Sequence, residues 1–233
     1  MFSNKKELIF IALAMFFAAD AITAELIGGK LINIYGFTFS IGVIPWPVVF
    51  IASDIINEFY GKKGVRRLSI ITACLIGYAY LVLWAAMSIH ASPISPISDS
   101  MFANVFGQSM WLIVGSLVAF VVSQLVDNSI FWMLRKRTGH GMVWLRSTGS
   151  TIVSQLVDTT LVLGIGFYLQ GKLTTAQYIS LIGTQYTFKV IIAIAATPLI
   201  YLGHGAIVKI LGKDEAHNII EQTAAESLGV GKK

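Results

Sequence analysis

The sequence predicts an all-α, polytopic membrane protein with six transmembrane helices, and three observations predict it. The first is composition: 55% of the 233 residues are apolar, only 12% are charged, and the mean hydropathy is +0.74. A soluble domain carries about twice that charged fraction. A soluble chain of this length can bury a good core without such an excess, whereas a bilayer demands it because the lipid-facing surface must be apolar too. The second is the presence of six mainly apolar runs long enough to span, at about 8–27, 41–60, 68–89, 109–134, 147–169 and 177–203. The third is an alternation of charge between the connections.

That alternation sets the expected orientation. Lys5 and Lys6 precede the first run, and Lys62, Lys63, Arg66 and Arg67 follow the second. Arg135, Lys136, Arg137 and Arg146 lie between the fourth and fifth, while the intervening loops hold only Lys30, nothing in 90–108, and Lys172. The positive-inside rule then places both termini in the cytoplasm of a cell with this chain in its inner membrane. The same placement explains the net charge of +5 without nucleic acid as a partner. The first run lacks a small-residue cleavage site and continues into a full span, so it reads as retained rather than as a signal peptide. Gly28, Gly29, Asn33 and Gly36 among β-formers predict a short hairpin-like turn in 28–40. Pro45 and Pro47 fall in the first turn of the second span, where their missing N–H groups cost little. Ser92-Pro93-Ile94-Ser95-Pro96 ends the third span and begins an irregular outer segment, and Pro198 favours a kink late in the sixth. The organisation expected is one transporter domain over 1–212 and a polar cytoplasmic tail over 213–233, either helical or disordered. Cys74 is the one cysteine, so there is neither an intrachain disulfide nor a thiolate metal site.

Asp20, Glu25, Asp54, Glu58, Asp127, Asp158 and Lys189 all fall inside the expected spans. Each costs about 2.5–3.5 kcal/mol at a helix centre, so such side chains usually face a bundle interior or a watery cavity. Lys189 cannot neutralise six carboxylates; the surplus must be protonated, solvated or matched to a ligand with donor groups. Glu25 and Glu58 lie near span ends, where interfacial solvation is the competing explanation. Asp54 lies about a turn deeper.

The clearest pattern is an internal echo: Val122-Ser123-Gln124-Leu125-Val126-Asp127 recurs as Val153-Ser154-Gln155-Leu156-Val157-Asp158 on the next, antiparallel span. In each copy Gln and Asp are three apart and share a helix face. Measured from Arg135, Asp127 and Gln124 lie roughly 12 and 17 Å deep; from Arg146, Gln155 and Asp158 lie roughly 14 and 18 Å deep. Both pairs therefore reach the midplane region where transporter sites usually sit. An amide beside an acceptor-only carboxylate suits a flat heterocycle with adjacent donors, such as the N1–H and 2-amino edge of a guanine. A Na⁺ or H⁺ site would use the same atoms. Trp46 is the aromatic residue taken as a stacking candidate; Phe59, Tyr60, Phe131, Trp132, Tyr186 and Phe188 read as belt or packing residues.

A membrane enzyme is disfavoured. There is no Gly-x-Ser-x-Gly, no His-Glu-x-x-His and no Gly-rich phosphate loop. His90, His140, His204 and His217 lack ligand spacing and read as solvated surface residues. No cofactor is called for. A paired, asymmetric polar cluster fits a binding site better than a ring-lined channel.

The run Ser53-Asp54-Ile55-Ile56-Asn57-Glu58-Phe59-Tyr60-Gly61-Lys62-Lys63-Gly64-Val65-Arg66-Arg67 resembles the signature of the queuosine precursor transporter family, also called the vitamin uptake or YhhQ-type family. Gln124…Asp127 followed by Arg135 resembles that family's fourth span, Ser150-Thr151…Ser154…Asp158-Thr159 its fifth, and Phe188-Lys189-Val190 its sixth. The resemblance implies an importer of 7-cyano-7-deazaguanine or its aminomethyl relative, with a six-helix fold similar to the substrate-binding subunits of energy-coupling-factor transporters. Under this reading Gln124, Asp127, Gln155 and Asp158 take the base edge, and Asp54, Asn57 and Glu58 lie on the cytoplasmic side or gate. Lys189 pairs with an aspartate or binds a substrate carbonyl or nitrile. The expected partners are the solute and the bilayer, with a homo-oligomer left open. The Ala14-x-x-x-Ala18 spacing is better explained by internal helix packing than by a motor ATPase. The alternative is an importer, or an ATPase-dependent binding subunit, for another vitamin or nucleobase.

Overall fold

The computed structural model describes residues 5–28, 30–34, 37–107, 110–138 and 142–228. The apolar runs become α1 (Lys5–Ile27), α2 (Trp46–Met87), α4 (Met110–Thr138), α5 (Val143–Leu163) and α6 (Thr175–Leu211), joined by the short α3 (Asp99–Phe106) and followed by α7 (Lys213–Leu228). Among the described residues, five helices are long and apolar enough to cross a membrane. The only strands among these residues are β1 (Leu31–Ile34) and β2 (Phe37–Ser40), an antiparallel ribbon with Leu31 opposite Ser40 and Ile34 opposite Phe37. The hairpin expected in 28–40 is therefore present, although Gly29 and Gly36 lie outside the described residues. The expected all-α chain thus carries one small β element.

The second and third expected spans both lie in α2, as two helices that meet at a kink with no loop between them. Gly61 makes the kink, with φ 75° and ψ 178°, a backbone region essentially reserved for glycine. Ser53 and Ser69 show that the chain folds back there. Their hydroxyls lie 3.3 and 3.5 Å from the same Gln124 oxygen, whereas a straight helix would separate the two residues by about 24 Å. The Asn128 amide closes the bend by donating to the Lys62 carbonyl at 3.0 Å. A Gly61→Ala variant should lose about 1–3 kcal/mol of stability, read as a lower unfolding temperature in detergent; an unchanged midpoint would show that the bend tolerates a Cβ.

The other elements follow local chemistry. Thr174 caps α6 in a reciprocal capping box with Gln177, and α6 runs through Pro198 to Leu211. Gly203 allows α6 to meet α2, since a Cβ there would come within 2.6 Å of Ile55. A π turn, Gly164–Tyr168, ends α5. After Met87 the chain is irregular until Ser98 caps α3, as the Ser-Pro-rich segment predicts. Residues 213–228 form a helix whose Ala216, Ile219 and Ile220 pack on Ile55, Phe59, Ile207 and Leu211.

Polarity is inverted relative to a soluble protein. Phe16, Tyr78, Leu81, Trp84, Ile191 and Leu202 are exposed on the helix exteriors, while Asp54, Asn57, Gln124, Asp127, Arg135, Arg146 and Gln155 are buried. One apolar core holds α1, α2 and α4 together through Phe17, Val49, Ile56, Val65, Ile76 and Phe120. The polar side chains gather between α2, α4, α5 and α6.

Candidate functional site

The bundle has a basic end, where Gly61, Arg135 and Arg146 lie, and an opposite end, where the β ribbon lies. Tyr60 ties the start of α1 to the basic end by donating to the Lys6 carbonyl at 2.6 Å. Between the two ends runs a column of polar side chains in three tiers.

The tier nearest the ribbon borders a cavity of about 210 Å³. Asp158 on α5 and Lys189 on α6 pair there at 2.7 Å and remain partly exposed, at 15% and 19%. Glu25 on α1 accepts hydrogen bonds from Ser116 (2.5 Å) and Tyr80 (3.2 Å) and lines the same cavity. Trp46, Phe39 and Phe188 supply aromatic walls, and Phe39 stacks on Phe188 with ring centres 4.2 Å apart. The ribbon thus covers this end by placing Phe39 against α6.

The middle tier surrounds a much narrower void of about 20 Å³. Asp54, Ser147, Thr151, Gln155, Lys189 and Trp46 line it. Trp46 and Lys189 belong to both spaces, so the void adjoins the wide cavity. The Ser147 hydroxyl donates to Asp54 Oδ2, while Asp54 Oδ1 is buried without a hydrogen-bond partner. Behind it Asp127 accepts from Ser154 at 3.1 Å and faces Ser150 and Thr151. Asp127 stands close enough to Asp54 for their charges to interact.

The tier at the basic end is an ion cluster. Glu58 accepts from Arg135 at 2.9 Å and from Arg146 at 2.7 Å, and all three side chains are at least 95% buried. Arg135 also donates to the Ile220 carbonyl of α7 at 3.3 Å and lies over the Trp132 ring. Trp132 in turn donates to Asn57 Oδ1 at 3.1 Å. Thr223 of α7 donates to the Phe59 carbonyl at 3.1 Å, fastening that helix beneath the column.

The residues singled out in the sequence therefore separate. Asp158, Lys189 and Trp46 border the wide cavity; Asp54 and Gln155 border the narrow void; Glu58 and Asn57 lie in the network at the basic end. Gln124 is buried behind the void, near the Ser53 and Ser69 hydroxyls. The two Gln–Asp copies do not form one symmetrical cluster, because Asp127 faces Ser154 while Asp158 faces α6. Glu25, weighed in sequence against interfacial solvation, borders the cavity, and Ser116 and Gln185 are polar cavity residues that sequence reasoning did not single out. Glu25 sits near a span end, and a serine in an apolar run carries no signal of its own. Arg135 and Arg146, read from sequence as topology markers, are also buried ion-pair partners.

Of the aromatic residues taken for packing, Phe59, Phe131 and Trp132 are buried, whereas Phe188 is a cavity wall. His90 and His217 are exposed. His204 departs from the solvated expectation: it is half-buried, its ring 5.3 Å from that of Phe59. His140 lies outside the described residues. Among the described residues no three His, Cys, Asp or Glu side chains form a metal-binding group.

Residues 40–203 match the family model described as "Putative vitamin uptake transporter". A "Probable queuosine precursor transporter" of Bacillus subtilis (strain 168) is 27% identical over 191 residues, covering 80% of this chain and 79% of the relative. A protein of the same name from Haemophilus influenzae (strain ATCC 51907 / DSM 11121 / KW20 / Rd) is 24% identical, covering 74% of this chain and 71% of the relative. The "Queuosine precursor transporter" of Escherichia coli (strain K12) is 26% identical, with coverage of 70% and 71%. No solved structure matches the chain.

Proposed function

This chain belongs to the vitamin uptake, or queuosine precursor transporter, family, and on that premise we propose that it imports 7-cyano-7-deazaguanine or its 7-aminomethyl relative across the inner membrane. The observation that carries the reading is the Asp158–Lys189 pair set between aromatic walls in the wide cavity. A guanine-type edge presents a carbonyl oxygen next to two N–H donors. An ammonium beside a carboxylate offers the complementary order, a donor followed by acceptors. Trp46 and Phe188 give the flat ring apolar faces on which to stack. Glu25 adds a further carboxylate, suited to an aminomethyl cation.

In this reading Asp158 and Lys189 contact the base and Trp46 stacks on it. Gln155 lines the narrow void beside the cavity, and Gln124 and Asp127 lie behind that void. Asp54, Asn57 and Glu58 belong to the closed cytoplasmic side. The basic end faces the cytoplasm, so both termini are cytoplasmic and the wide cavity faces outward. The fold-back at Gly61 lets α2 cross twice, which makes six crossings, as in the binding subunits of energy-coupling-factor transporters. Residues 1–212 are assigned to the transport domain and 213–233 to the tail, whose helix at Lys213–Leu228 docks beneath it. The reading assigns no motor ATPase and no catalysis, and leaves a homo-oligomer open.

A thermal-shift screen of purified protein tests the substrate. Either deazaguanine, at about 100 times its Kd, should add about 2.7 kcal/mol of stability. Stabilisation by a vitamin and by neither deazaguanine would overturn the substrate assignment.

A further inference from the structure

We propose that Asp54 and Asp127 form a proton-binding pair, separate from the solute cavity, through which this chain couples uptake to an inward proton movement. The coupling role rests on the transporter reading above; proton binding by the pair does not depend on which solute is carried.

Three observations carry it. Asp54 is 3% exposed, yet its Oδ1 has no hydrogen-bond partner and its side chain borders the narrow void. A buried acceptor left open in this way is costly unless something fills it. Next, Asp127 is equally buried and near enough to interact with Asp54. Two carboxylates in one low-dielectric site cannot both hold their charge cheaply, and sharing a proton relieves them. Finally, the void of about 20 Å³ exceeds the ~10–15 Å³ that one water needs but is far too small for a bicyclic base. Asp54, Thr151, Gln155 and Lys189 give a water there polar partners. Asp54 thus borders a space that admits a water and excludes the solute, which suits proton transfer.

The charged and titratable groups around the pair come from every element packed against it. Arg146 projects from α5 and Lys189 from α6; Glu58 lies one turn along α2 from Asp54, with Arg135 beyond it on α4, and His204 on α6 stands past Phe59. A metal cation suits this setting less well than a proton. The Ser147 and Ser154 hydroxyls already donate to the carboxylates, and Lys189 brings an ammonium to the same void. A hydronium ion in the wide cavity gives its proton, through the void water, to Asp54 Oδ1; an O–H bond forms there, water is left behind, and the nearby Asp127 charge favours the protonated form. The proton leaves to cytoplasmic water when the Glu58 cluster opens.

Infrared difference spectra of purified, solute-free protein at stepped pH test proton binding directly. A protonated-carboxyl C=O band should titrate in the wild type, disappear in Asp54→Asn and shift in Asp127→Asn. No such band in the wild type, or an unaltered band in Asp54→Asn, would overturn the pair. In liposomes, an inward proton gradient should drive accumulation of 7-cyano-7-deazaguanine at least tenfold above equilibrium. Asp54→Asn should abolish that accumulation while still binding the base in a thermal shift. Equal accumulation on a sodium gradient without a pH difference would overturn proton coupling. If the wild type fails to bind the deazaguanine, the substrate assignment falls while the infrared result still decides the proton pair.

Discussion

Glu58→Ala should destabilise the protein by about 3–5 kcal/mol, the usual cost of removing one partner from a buried ion pair. Glu58 is the shared acceptor for Arg135 and Arg146, and neither guanidinium has appreciable solvent access. Without the carboxylate, two like charges face each other in a site that water does not reach. Arg135 also holds the Ile220 carbonyl, so the loss should spread to α7 and loosen the basic end of the bundle. Unfolding followed in detergent checks this, with limited proteolysis after residue 212 as the local readout. Replacing Glu58, Arg135 and Arg146 together by Met should restore most of the loss, because apolar substitutes carry no desolvation penalty. If Glu58→Ala melts like the wild type, the cluster is hydrated and plays no part in holding that end closed.

Asp158→Asn should abolish uptake while leaving expression and melting intact. Its pair with Lys189 borders the wide cavity and keeps partial exposure, so the lysine left behind can be solvated and the fold should survive. In the proposed binding mode the functional loss is large, because there the carboxylate accepts from two N–H groups of the base. Giving up charge-assisted bonds of about 1.5–3 kcal/mol each lowers affinity by about 100-fold or more. Lys189→Gln should also weaken binding, and the double variant should lose less than the sum of the singles because the two side chains interact. Isothermal titration with the deazaguanine separates affinity from transport rate. Full uptake by Asp158→Asn would remove Asp158 from the site.

Much of the fold was legible because the bilayer acts on composition and charge, which a sequence displays directly. The apolar runs, the basic connections and the Ser-Pro-rich break each reflect a local cost: an unsatisfied backbone group in lipid, a charge carried across a membrane, a missing proline N–H. The break between the second and third spans shows where local reasoning stops. Lys62, Lys63, Arg66 and Arg67 are charged enough to suggest a loop, yet they are helical. What turns the chain is one glycine in a conformation that a Cβ forbids, and Gly61 looks in sequence like any other glycine.

The buried carboxylates divide in the same way. Their presence inside apolar spans was readable from the sequence, since each is expensive in lipid, and that expense pointed to a solute pathway. Their partners were not readable, because pairing depends on how helices rotate against one another. Asp127 and Asp158 occupy equivalent places in repeated strings, yet one meets a serine between α4 and α5 while the other meets Lys189 on α6. Glu25, near a span end, looked fit for solvation until Ser116 and Tyr80, 91 and 55 residues away, converged on it. The sequence by itself determined a helical membrane protein with costly carboxylates held inside it. The tertiary structure alone sorted them into a neutralised cluster, a lysine-paired aspartate beside the wide cavity and two buried acids near enough to interact, because charge compensation depends on distances between helices that sequence spacing does not contain.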